Sequence, residues 1–118
     1  MTLHEAISDY AESVGYQPTE FLELTCDCGS KLFKLYSDDT EGGAVAKCSK
    51  CGAKKDILDS ERYIEDREQN ICNCDAEDLM IAIGLAFHEG TTDPRWAYIG
   101  CECPECGLSG VYVDWQER

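Results

Sequence analysis

Eight cysteines carry the chemistry this sequence could do. They stand in four close pairs, Cys26/Cys28, Cys48/Cys51, Cys72/Cys74 and Cys103/Cys106, and each CxxC pair is followed by glycine. A thiolate is a soft anionic ligand. Two of them one or two residues apart on a tight turn face a single ion, and two such turns complete a tetrahedron. The competing use of cysteine is a disulfide framework. It fits poorly, because the total of nine is odd and a bond inside a CxC or CxxC pair is strained or redox-active. Four thiolates at ~2.3 Å leave no coordination position for water, so the expected centre is structural and not catalytic. Two Zn²⁺ per chain are therefore expected, ligated by Cys26, Cys28, Cys48 and Cys51 and by Cys72, Cys74, Cys103 and Cys106. The remaining Cys101 reads as a small buried hydrophobe on a strand, with substitution as a ligand through Cys101-Glu102-Cys103 as the alternative.

The elements that must hold these pairs form an internal repeat. Cys72 follows Cys26 by 46 residues, and the same offset carries Phe33 onto Leu79 and Leu35 onto Ile81. Each unit reads CxC, four residues, a strand, a loop, a returning strand and CxxCG. In the second unit Leu79, Ile81, Ile83, Leu85 and Phe87 alternate with Met80, Ala82, Gly84, Ala86 and His88, the pattern of a strand with one apolar face. Trp96 to Cys101 return after the Glu89–Pro94 loop, and Val111, Val113 and Trp115 form a third strand. The first unit is a weaker copy, with strands over Leu32 to Tyr36, Ala44 to Cys48 and Lys54 to Leu58. Ahead of it, Thr2 and Glu5 form a capping box, and Leu3, Ile7, Tyr10 and Val14 keep helical spacing up to Gly15. Phe21 to Cys26 lead into the first cysteine turn in extended form. Between the units, Asp59 or Ser60 is expected to cap a second short helix running through Arg67 and docking the two units together.

The fold class is thus mostly β with a short N-terminal helix. The expected partition is 1–25 for helix and lead-in, 26–58 and 72–118 for two ribbons, and 59–71 for a helical linker. Units this small cannot bury enough apolar area to offset chain entropy, so metal binding belongs to their folding free energy. The two CxC…CxxCG blocks resemble tandem zinc ribbons, and the second also resembles small bacterial zinc-ribbon proteins of unassigned function, through Trp96 to Gly100 ahead of Cys103-x-x-Cys106-Gly107 and then Gly110 to Trp115. The Cys103-Pro104-Glu105-Cys106-Gly107 turn is similar to a rubredoxin knuckle as well, which makes iron the second choice of metal. The CxC spacing of the first pair departs from that family. These resemblances imply fold and metal, and no activity.

Function has to be sought in charge. The chain of 118 residues has room for one ordinary domain or two very small ones, and 24 acids against 10 bases give a net charge of −14. That balance excludes a whole-surface binder of nucleic acid or anionic membrane. Residues 1–25 carry −5, residues 26–58 carry +1 with all six lysines, and residues 59–118 carry −10. The expected function is non-catalytic recognition of a basic partner protein. The contact residues would be Glu61, Glu65 and Asp66 together with Trp96, Tyr98 and Trp115, and an inhibitor or immunity protein covering a nuclease toxin is the concrete version. The alternative is a nucleic-acid-binding ribbon that places Lys31, Lys34, Lys47 and Lys50 on phosphates and stacks Phe33 or Tyr36 on bases. No phosphate loop, zinc-protease motif or nucleophile with its base is present, and His4 and His88 stand alone, so no enzyme is expected. With no apolar run of membrane length and no basic-then-apolar leader at Met1 to Glu5, the expected location is the cytoplasm. Oligomeric state is open at this level.

Overall fold

The computed structural model describes residues 2–117. Helix α1 (Leu3–Val14) is followed by eight strands: β1 (Glu20–Glu23), β2 (Phe33–Asp38), β3 (Gly43–Cys48), β4 (Lys54–Asp56), β5 (Glu68–Asn70), β6 (Met80–Phe87), β7 (Pro94–Glu102) and β8 (Ser109–Gln116). The strands make two four-stranded antiparallel sheets, ordered β1-β6-β7-β8 and β4-β3-β2-β5. The fold is mostly β with one helix at its start, as the alternating patterns predict.

Each sheet takes its fourth strand from outside the repeat that supplies its hairpin. β1 precedes the first cysteine pair and lies on β6 of the second repeat, whereas β5 precedes the third pair and lies on β2 of the first. The exchange is symmetric. The Leu24 N–H donates to the Ile81 carbonyl at 2.9 Å, and the 46-residue offset carries that pair onto Asn70 and Leu35, which are ladder partners. At the centre Phe33 and its repeat equivalent Leu79 pair with each other through two backbone hydrogen bonds of 2.9 and 2.8 Å. A local two-fold axis through that pair relates the two repeats.

The expected second helix does not form. Residues 57–63 make two short 3-10 turns, Ile57–Asp59 and Glu61–Tyr63, with Leu58 and Asp59 both at φ 56°, and the chain then straightens into β5. Asp38 holds this segment. Its buried carboxylate accepts N–H groups from Thr40 and Glu41 in its own turn (3.0 and 3.1 Å) and from Glu65 and Asp66 across the gap (3.0 Å each). The two donors that Glu65 and Asp66 give to this carboxylate hold the stretch in a non-helical path. Buried Ser60 adds a second tie, accepting the Ala44 N–H at 2.9 Å. The strand expected to reach Leu58 therefore ends at Asp56.

One apolar cluster runs through both sheets, uniting Phe33, Leu35 and Ala46 with Leu79, Ile83, Leu85, Ile99, Val113 and Trp115. A second lies under α1, where Ile7 and Ala11 cover Ala82, Ala86 and Tyr98. β6 is consequently buried on both faces, not on one as its alternation suggested. The register also shifts in β8: Ile99 faces Val113 and Gly100 faces Val111, leaving Tyr112 as the extra residue of a bulge. Val111 thus turns to the helix side while Val113 and Trp115 stay in the inter-sheet core.

α1 lies close because the sheet beneath it is bare. It begins on the predicted capping box, with the Glu5 N–H donated to Thr2 Oγ1 at 3.1 Å, and ends at left-handed Gly15. A Cβ built on Gly100 would stand 2.7 Å from Ile7 Cδ1, and one on Gly84 would stand 2.9 Å from Ile7 Cγ2. Ile7 fills the hollow those glycines leave. Tyr10 then donates to Asp114 Oδ1 at 2.7 Å, which pushes its phenol up to about 12.

Two substitutions test this packing. Ile7→Ala leaves a cavity between helix and sheet and should cost about 2–5 kcal/mol in denaturant unfolding of the metal-loaded protein. Asp38→Asn should lower Tm by several degrees. Because the four N–H groups hold the Asp38 carboxyl down to about 2, its contribution is complete above the ordinary carboxylate range and is lost only as pH falls toward that value. The Tm difference should accordingly stay constant between about pH 6 and 8.

Candidate metal centres

The sequence places each CxxC pair where a β-hairpin ends. After β3, the Gly52 N–H donates to the Cys48 carbonyl at 3.0 Å, and after β7 the Gly107 N–H donates to Cys103 at 2.9 Å. Both glycines sit at φ 78°, a conformation that side chains resist and that brings the second cysteine back over the first. The CxC turns are built alike. The Gly29 N–H reaches the Cys26 carbonyl and the Asp75 N–H reaches that of Cys72, at 2.8 Å in each case. Asp75, at φ 73°, does in the second repeat what Gly29 does in the first, and aspartate is among the few residues that tolerate it.

The turns bring together the two predicted groups, Cys26, Cys28, Cys48 and Cys51, and Cys72, Cys74, Cys103 and Cys106, with all sulfurs of a group within 4.8 Å of one another. The closest approaches are 3.4 Å (Cys26 to Cys51) and 3.6 Å (Cys28 to Cys48) in the first, and 3.5 Å (Cys72 to Cys106) and 3.6 Å (Cys74 to Cys103) in the second. No disulfide has these separations, since its sulfurs lie ~2.05 Å apart. A tetrahedron with metal–sulfur bonds of ~2.3 Å has edges of about 3.8 Å, within the range of these separations, so each donor set suits one ion. In every pair one cysteine is buried and the other exposed, which places both centres at the surface with their backs in the core.

The backbone prepares one buried sulfur of each group for negative charge. The Cys51 N–H points at Cys48 Sγ at 3.5 Å and draws that thiol down to about 6. The Cys74 N–H has the same effect on Cys72, drawing it down to about 7. Such N–H···S contacts stabilise thiolates and orient them toward a cation. Cys101 contrasts with them. It lies fully buried on β7 in the inter-sheet core, outside both groups, and burial alone pushes its thiol up.

Other sequence-assigned residues are distributed differently. Tyr98 is fully buried under α1, donating to the Tyr16 carbonyl at 2.6 Å, and Trp115 is 5% exposed in the inter-sheet core. Tyr98 is closed to a partner, and Trp115 shows only an edge, on the acidic cleft lined by Asp39 and Asp114. Trp96 is half-buried, its ring tilted against Tyr16 at 5.4 Å and its indole N–H donated to Asp114 Oδ2 at 2.8 Å. Glu61 is engaged by Lys54 and Arg67 at 2.8 and 2.9 Å, while Glu65 and Asp66 keep exposed side chains beside the Asp38 turn. Among the residues of the nucleic-acid alternative, Phe33 is fully buried and cannot stack on a base, and Lys34 is paired with Asp78 at 2.7 Å. Lys31, Lys47 and Lys50 remain exposed.

A cleft of about 520 Å³ opens where the β2–β3 turn meets the ends of β7 and β8. Asp39, Glu41, Asp114 and Glu117 line it with Trp96 and Trp115, and no Lys or Arg is among the described residues that line it. Burial, with the neighbouring carboxylates of Asp114 and Asp38, raises the Asp39 carboxyl. Sequence reading missed this site. Its parts lie in separate repeats, and the only local signal was the acidic turn Asp38-Asp39-Thr40-Glu41.

Elemental analysis of the purified chain should read two metal ions, and Cys101→Ser should retain both. Chelation should abolish the near-UV circular dichroism of the buried Trp115 and Tyr98. Compared with known proteins, the chain matches no family model, no curated protein and no solved structure.

Proposed function

We propose that the protein is a non-catalytic module, held together by two structural zinc ions, that binds a basic partner protein through an acidic and aromatic face. A closed tetrahedral set of four thiolates suits zinc or iron, and zinc is favoured because the CxC turn departs from the paired CxxC turns of iron knuckles. Such a centre supplies no open position for substrate. Its contribution is folding energy.

The observation that carries the reading is the cleft at Asp39, Glu41, Asp114 and Glu117. Four carboxylates surround a half-buried indole, and both Asp114 oxygens are already spent on Tyr10 and Trp96. An arginine or lysine side chain entering there would offset the burial and repulsion that raise Asp39 and would meet an aromatic surface. Glu65 and Asp66, flanking the same turn, extend the negative field and raise the rate of encounter with a basic protein. An inhibitor that covers the basic cleft of a nuclease is one partner class of this kind.

Affinity capture with Asp39→Lys/Glu117→Lys beside wild type tests the reading. A basic protein should be retained by wild type in stoichiometric amount, survive nuclease treatment and be lost from the variant by tenfold or more. Retention that vanishes with nuclease, or that Lys31→Glu/Lys50→Glu removes instead, would transfer the function to nucleic acid.

A further inference from the structure

We infer that the two four-cysteine sites fill cooperatively, because the strand that delivers the CxC turn of each site is paired to the hairpin that carries the other. The inference rests on the metal-binding reading of the cysteines and adds a link between them.

β1 ends at Glu23, three residues before Cys26, and its partner is β6, whose hairpin with β7 ends at Cys103 and Cys106. β5 ends at Asn70, two residues before Cys72, and its partner is β2, whose hairpin with β3 ends at Cys48 and Cys51. A metal at the second site orders the β6–β7 hairpin and so presents the edge on which β1 docks, and β1 docking brings Cys26 and Cys28 to the first site. The converse path runs through β2 and β5. The routes meet at the Phe33–Leu79 pair, and the four buried ligands Cys26, Cys48, Cys72 and Cys103 belong to one apolar cluster.

The exchange decides the sign of the coupling. Two ribbons with self-contained sheets would each take up metal against only their own ordering cost. Here the first ion must order strands from both repeats, and the second finds its cradle already assembled. An ion that meets less ordering cost binds more tightly, and the benefit is reciprocal. The protein therefore passes from empty and open to doubly loaded and closed over a narrow range of free zinc, so the folded surface, including the acidic cleft, is switched as a unit.

The test is titration of the metal-free, reduced full chain with zinc in buffered free-ion steps, read by native mass spectrometry and circular dichroism. Coupled sites give a Hill coefficient above 1 and a one-zinc species well under half of the total at the midpoint. Independent equal sites would leave it at about half, and independent unequal sites above that; either result overturns the inference while leaving the metal reading intact. A chain that takes up no zinc would overturn both. A second arm uses protein purified with zinc bound. In Cys28→Ser/Cys51→Ser the ion left at Cys72, Cys74, Cys103 and Cys106 should pass to a chelator about tenfold or more faster than in Cys101→Ser, which keeps every ligand. Equal rates would refute the coupling.

Discussion

Phe33 and Leu79 exchange two backbone hydrogen bonds at the centre of the molecule, and the rest of the architecture depends on that junction. The residues are repeat equivalents, so the pair sits on the axis that relates the two halves. Antiparallel pairing on such an axis sends each chain direction past its counterpart. The strand that arrives just before each CxC turn then falls beside the other repeat's hairpin. Strand exchange follows from the junction, and it turns two ribbons with small separate interiors into one body with a continuous core between sheets.

A shared core resolves the difficulty of size. A repeat of about 45 residues buries too little apolar surface to stand alone. Joined through exchanged strands, the two bury Phe33, Leu35, Leu79, Ile83, Ile99 and Trp115 in a single cluster, backed at its edges by the thiol ligands. The repeats have diverged within this symmetry. The second has the longer hairpin and, on its outer face, the glycine hollow that accepts α1 through Ile7. The first has the polar clip at Asp38, which fixes the crossing segment without a helix. Apolar docking and polar tethering thus serve opposite ends of one fold.

The acidic face arises where these two devices meet. Asp38 turns inward to hold the linker, leaving Asp39 and Glu41 on the outer side of the same turn, while α1 and Trp96 fix Asp114 from the other repeat. Asp114 is fixed on both oxygens by Tyr10 and Trp96, and Glu117 accepts the Trp115 indole N–H at 2.7 Å. Three of the four arginines and two of the six lysines are meanwhile engaged elsewhere, Lys34 by Asp78, Lys54 and Arg67 by Glu61, Arg62 by Asp59 and Arg95 over the Tyr16 ring. The negative excess therefore shows at the surface.

Local chemistry was legible in the sequence wherever it depends on near neighbours. Cysteine spacing marked two donor groups, period-two alternation marked the hairpins, and the Thr2/Glu5 box with Gly15 bounded α1, because turns, strands and caps are decided within a few residues. The repeat offset even contained the symmetry axis, in the correspondence of Phe33 with Leu79. Pairing between distant segments was not legible. A three-residue edge such as β5 has no periodic signature, and the Asp38 clip that straightens it joins positions 27 and 28 residues apart. Burial of Tyr98 and Trp115, the second buried face of β6 and the cleft at Asp39 and Asp114 all follow from which sheet and helix each strand meets. That choice belongs to the free energy of the whole fold, and only the tertiary structure decides it.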